Sequence, residues 1–111
     1  MVIKDEISKH PESFRALCKN HNVQYLYAFG SSTTEQFNQN ESDIDLLVEI
    51  DDPDPIERGD KLLSLWDEFD DFFNRKVDLI TDSSIKNPCL KESIDATKVL
   101  IYDRQGSQIF I

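Results

Sequence analysis

The sequence predicts a small α/β (α+β) fold, in which one mixed sheet of three or four strands is packed with helices. Three observations carry this. Short runs rich in β-branched and aromatic residues occur at 23–29, 43–50, 77–80 and 99–102. Between them lie longer stretches whose apolar residues recur at helical spacing. Proline and cap residues fall where those stretches begin. Helices alternating with strands point to a two-layer α/β arrangement, and a chain of 111 residues fits one domain over 1–111 with its core about 23–102.

Taken in order, Ile3, Ile7, Phe14, Leu17 and Cys18 lie close to helical spacing, with Pro11 dividing a first short helix from a second. Residues 23–29 read as a strand that stops at Gly30. Residues 31–41 are polar and read as a loop or a short helix. In the second strand Ile44, Leu46, Val48 and Ile50 form one apolar face, and Asp43, Asp45 and Glu49 take the other. Asp54, Pro55 and Glu57 supply a cap, a first-turn proline and an acid for a helix running to about Asn74. Its expected buried stripe is Leu62, Leu63, Trp66, Phe69 and Phe73. Leu65 and Phe72 lie off that stripe and either widen the core band or mark a partner surface, with the core favoured. Residues 77–80 form a third strand, 84–97 a helix with Asn87-Pro88 near its start, and 99–102 a fourth strand.

Composition narrows the function. A net charge of −10 repels a phosphate backbone, so nucleic acid is excluded as the expected partner. No apolar run reaches membrane-spanning length, and the N-terminal residues lack a basic stretch followed by an apolar one. Cys18 and Cys89 have no metal-ligand spacing; one disulfide is arithmetically open, but two reduced, packed thiols are the expected state. A cytoplasmic protein is expected. His10 and His21 are expected at the surface, and Asp51, Asp52 and Asp54 lack the spacing of a calcium loop.

The residues that carry chemistry cluster at strand ends. Gly30-Ser31 follows the first strand, where a glycine lets the backbone turn and approach a ligand such as a triphosphate. Asp43 and Asp45 project from one strand face roughly 7 Å apart, close enough to share one hard cation or a pair. Asp78, flanked by Val77 and Leu79, faces the same metals if the third strand lies beside the second. Each piece alone has a plainer explanation: Gly-Ser as a strand-ending turn, the two aspartates as a solvated strand edge. Together, with all three acids opposite the apolar face, they describe phosphoryl-type transfer.

Phe29-Gly30-Ser31 followed by Ser42-Asp43-Ile44-Asp45-Leu46-Leu47-Val48 resembles the signature of the DNA polymerase β-like nucleotidyltransferase superfamily. Arg75-Lys76-Val77-Asp78-Leu79-Ile80 resembles its third-carboxylate strand, and the short chain looks like the minimal nucleotidyltransferase (MNT) group. The resemblance runs over about residues 23–102. It implies a two-metal Mg²⁺ site on Asp43, Asp45 and Asp78, with Asp78 also activating the acceptor, and triphosphate binding at Gly30, Ser31 and Ser32. It further implies AMP transfer from ATP to an acceptor hydroxyl, on a helical HEPN-domain partner that the MNT protein accompanies as antitoxin. The alternative is an inactive antitoxin that neutralises such a partner by contact; a small-molecule transferase completed by a second copy of the chain is a third reading. Ser32 stands where many relatives carry Arg or Lys, which makes Arg75 and Lys76 candidates to supply that charge.

Overall fold

The structure is a computed structural model that describes residues 2–30, 43–105 and 108–109. Helices α1 (Val2–Lys9) and α2 (Pro11–Asn20) precede strand β1 (Val23–Ala28), and β2 (Ile44–Ile50) follows. Helix α3 (Pro55–Phe73), strand β3 (Val77–Ile80), a 3₁₀ turn (Asp82–Ser84), helix α4 (Pro88–Thr97), and strands β4 (Val99–Asp103) and β5 (Gln108–Ile109) complete the order. Prolines begin α2, α3 and α4, where the missing N–H breaks no helical bond. Asp54 caps α3 by accepting from the Ile56 N–H at 2.9 Å, and Asn87 caps α4 by accepting from the Cys89 N–H at 2.9 Å. That cap explains why the last helix starts at Pro88 rather than near Ser84: the residues before it close a separate 3₁₀ turn.

The five strands lie in the order β3-β2-β1-β4-β5. The β1–β2, β1–β4 and β4–β5 pairs are antiparallel and β2–β3 is parallel, so the sheet is mixed, as expected. The four expected strands are present, and the two-residue β5 adds a short edge that the sequence patterning did not signal.

One sheet face carries the main core, where Ile44, Leu46, Val48 and Ile50 of β2 meet Ile3, Ile7, Phe14 and Cys18 of α1–α2 and Leu65, Phe69 and Phe73 of α3. Phe14 stacks on Phe69 with ring centroids 5.8 Å apart. The opposite face buries a smaller cluster of Phe29, Leu47 and Ile94, the last from α4. Alternation along β2 therefore sends Asp43 and Asp45 to the α4 side of the sheet.

Several expectations change. Leu63, expected in the buried stripe, is 63% exposed, whereas Leu65 is buried and Phe72 packs partly buried against the core, the placement favoured for both. His21 is buried rather than exposed: its Nδ1 donates to the Leu17 carbonyl at 2.8 Å, and Nε2 lies 3.0 Å from Ser64 Oγ, tying the end of α2 to α3. A ring nitrogen facing a carbonyl must carry the proton, which sets the tautomer of the neutral ring. Cys18 is packed and Cys89 is exposed, and neither is in a disulfide. Residues 31–41, read as loop or short helix, lie outside the described residues.

Candidate active site

The parallel β2–β3 register sets Asp45 directly opposite Asp78 and Ile44 opposite Val77. Asp43 sits immediately before β2, so all three acids gather at the N-terminal ends of two adjacent strands, on one face. The start of the pair is locked by the Ile44 N–H donating to the Lys76 carbonyl at 3.1 Å. From the other side, α3 grips β3 at Val77: the Trp66 indole N–H donates to its carbonyl at 2.6 Å, and Asp70 Oδ1 accepts from its N–H at 2.8 Å. Asp78 is thus carried on a strand fixed at both main-chain groups of the preceding residue.

Gly30 closes the site from β1. Its φ of 64° lies in the left-handed region, and a Cβ there would stand 3.1 Å from Asp45 Oδ2. Glycine suits the left-handed turn and leaves room for the carboxylate's close approach. Its N–H donates to Thr97 Oγ1 at 3.0 Å, and that hydroxyl donates to the Ser93 carbonyl at 3.0 Å, so the turn is anchored to the last turn of α4. The Phe29 N–H donates to the Asp45 carbonyl at 3.1 Å, which holds the glycine and the aspartate together through the backbone. Ser31 and Ser32, the other two residues expected to bind nucleotide, lie outside the described residues.

Electrostatics mark Asp45. Burial, then the Asp78 and Asp43 carboxylates, push its carboxyl up to about 6. Lys76 Nζ stands 3.6 Å from Asp43 Oδ2, an exposed pairing of modest strength. Among the described residues no three acidic, imidazole or thiol side chains are drawn close enough to hold a metal as they stand. The donor set nonetheless fits a hard divalent cation: carboxylate oxygens only, on one face, with one carboxylate disfavoured in its charged form by burial and then by its like-charged neighbours. Thr97, Trp66 and Asp70 are the contributors that sequence reasoning missed, because they act through contacts with no local sequence signal. Lys76, a candidate from the sequence, stands beside Asp43.

The family model described as "Polymerase beta, Nucleotidyltransferase" matches residues 12–107. The chain belongs to that nucleotidyltransferase family. Two Methanocaldococcus jannaschii proteins, the candidate protein adenylyltransferases MJ1217 and MJ0128, are each 34% identical to it, over 89% of this chain and 94% of theirs. Among solved structures, a toxin–antitoxin structure with AMP-PNP has a chain that superposes with a TM-score of 0.62 at 22% identity, covering 87% of this chain and 76% of that one. A structure described as a minimal nucleotidyltransferase gives a TM-score of 0.60 at 21% identity, covering 86% and 92%. A chain in the complex of a tri-AMPylated Shewanella oneidensis HEPN toxin with its MNT antitoxin gives 0.52 at 22% identity, covering 96% and 76%. At these identities the superpositions establish the fold, and the family match establishes a nucleotidyltransferase. Among the described residues no helix is long and apolar enough to cross a membrane.

Proposed function

We propose that this nucleotidyltransferase is a Mg²⁺-dependent protein adenylyltransferase that moves AMP from ATP to a hydroxyl on a HEPN-type helical partner, as an MNT antitoxin. The observation that carries the reading is the pairing of Asp45 with Asp78 across β2–β3, beside Asp43 and against Gly30. Bound between Asp43, Asp45 and Asp78, Mg²⁺ would neutralise the triphosphate and make the acceptor hydroxyl more acidic. The chain's own residues do the rest. The backbone turn at Gly30 brings the phosphates to the carboxylates, with Ser31 and Ser32 donating to phosphate oxygens. Asp78 takes the hydroxyl proton as the acceptor oxygen bonds to the α-phosphorus. The bond from that phosphorus to the α,β-bridging oxygen breaks, and pyrophosphate leaves.

The relatives' description as candidate protein adenylyltransferases supports ATP and a protein acceptor. The structural neighbours in complexes of MNT antitoxin and HEPN toxin support the partner class. Two unpaired cysteines suit the cytoplasm, where ATP and Mg²⁺ are abundant.

The test is transfer of α-labelled ATP in lysate of the source cells, run with wild type and with the Asp43→Asn/Asp45→Asn double variant. The reading predicts label on a protein with wild type alone. Equal labelling by the double variant would overturn the mechanism, and no labelling by either, with partner inhibition intact, would establish neutralisation by contact.

A further inference from the structure

The outer face of α3 is unlike the rest of the surface. Of the described residues, three large apolar side chains are strongly exposed, and two of these, Ile56 at 74% and Leu63 at 63%, lie two turns apart on this helix. Gly59 stands one turn from each. Nothing lies within 4 Å of a Cβ built there, so the chain's own packing does not call for glycine. A glycine inside a helix weakens it, and its usual compensation is close approach by another backbone. Asp60 and Asp67, both exposed, each follow one turn after Ile56 and Leu63 and put acid along the same stripe.

Beneath the Gly59 edge of the stripe lies a groove of about 600 Å³, lined in part by Gly59, Leu62, Glu49 and Asp82. Its one arginine, Arg58, is turned to the Asp52 carbonyl at 2.9 Å. Apolar positions at helical spacing, a bare centre and flanking carboxylates together describe a seat for a helix of opposite charge. A second copy of the chain fits badly, because it would set Asp60 and Asp67 near their own equivalents on a molecule of net charge −10.

We infer that the Ile56–Gly59–Leu63 face of α3 is the docking surface for a basic amphipathic helix of the protein partner. That helix crosses closely at Gly59, lays apolar residues on Ile56 and Leu63, and reaches Asp60 and Asp67 with Lys or Arg. The surface lies on the layer opposite the Asp45–Asp78 face, since Leu65, Phe69 and Phe73 bind α3 to the other side of the sheet. Docking and chemistry are therefore separable. The inference deepens the partner part of the proposed function, but its test uses neither metal nor nucleotide, so the two stand or fall apart.

The full ¹⁵N-labelled chain is titrated with a synthetic helical peptide of about 20 residues, leucine on one face and lysine or arginine on the other, and with its glutamate counterpart. Backbone shifts are expected to centre on α3 from Ile56 to Asp67 with the basic peptide alone. Ile56→Gln/Leu63→Gln is expected to weaken binding about tenfold. Gly59→Ala is expected to raise the thermal midpoint yet weaken binding about threefold, opposite signs that a purely structural glycine would not give. No binding, shifts centred elsewhere, or affinity unchanged in both variants would overturn the inference. So would concentration-dependent dimerisation of the free chain that the same substitutions abolish, because a second copy would then own the face.

Discussion

Gly30 and Asp45 are best understood as one unit. The left-handed turn disfavours a side chain and the 3.1 Å approach to the carboxylate leaves little room for one, so Gly30→Ala meets a backbone penalty of about 1–2 kcal/mol before any crowding is counted. The expected outcome is a lowered thermal midpoint together with impaired nucleotide binding, checked by thermal unfolding and by titration with an ATP analogue. Asp45 makes a prediction with a definite sign. Its folded carboxyl is raised to about 6 from 3.8, so between those values the folded chain holds the proton that the unfolded chain has released. Stability is therefore greatest below about pH 4 for this group and falls as pH rises to about 6. Asp45→Asn is expected to be more stable than wild type at pH 7.5, by about 1 kcal/mol once solvent screening of a half-buried group is allowed for. The gap should close at pH 4, measured by thermal unfolding at both values. Residue identity at this scale was legible in the sequence: Gly30, Asp43, Asp45 and Asp78 announce themselves by type and spacing. Thr97 did not, because its hydroxyl meets Gly30 only after the sheet and α4 have assembled, 67 positions away in the chain.

At the scale of elements, the α3–β3 unit sets the site's accuracy. Trp66 and Asp70, one helical turn apart, hold the carbonyl and N–H of Val77, and the next residue is Asp78. Asp70→Ala leaves a buried N–H without that acceptor and is expected to cost about 1–3 kcal/mol, read from the urea midpoint, while also weakening metal binding at Asp78. Element boundaries were readable where the chain carries a local stop or start. Asp54-Pro55 and Asn87-Pro88 are both true caps, and the second outranked the helical look of the residues before it. The buried stripe of α3 was mostly readable: Phe69 and Phe73 are in place and Leu65 takes the core position favoured for it, but Leu63 is exposed. Helical periodicity tolerates either leucine, and the way α3 packs on the core decides between them, which no local pattern contains. The same holds for His21, whose partners Leu17 and Ser64 come from two helices.

For the whole molecule, charge is the governing property. At −10 the folded chain repels itself, and among the described residues its ion pairs are mostly exposed and individually weak. Added salt is thus expected to raise the thermal midpoint, since screening relieves repulsion more than it weakens the pairs; a fall with salt in a differential scan would assign the pairs the larger role. The mixed α/β architecture was legible from the alternation of runs. Strand order was not, because hydrophobic alternation says which face a residue takes and not which strand lies alongside. It is that order, with β3 beside β2, that brings Asp78 to Asp45 and turns three separate acids into one candidate site.

The measurement that bears most directly on that site is Mn²⁺ binding followed by electron paramagnetic resonance, with and without a non-hydrolysable ATP analogue. Wild type and the Asp43→Asn/Asp45→Asn variant are compared at pH 7.5. The account predicts binding in the wild type that tightens with the analogue and falls about a hundredfold in the variant. Equal binding by the two proteins would contradict it, and would place the metal away from the carboxylates at the start of β2.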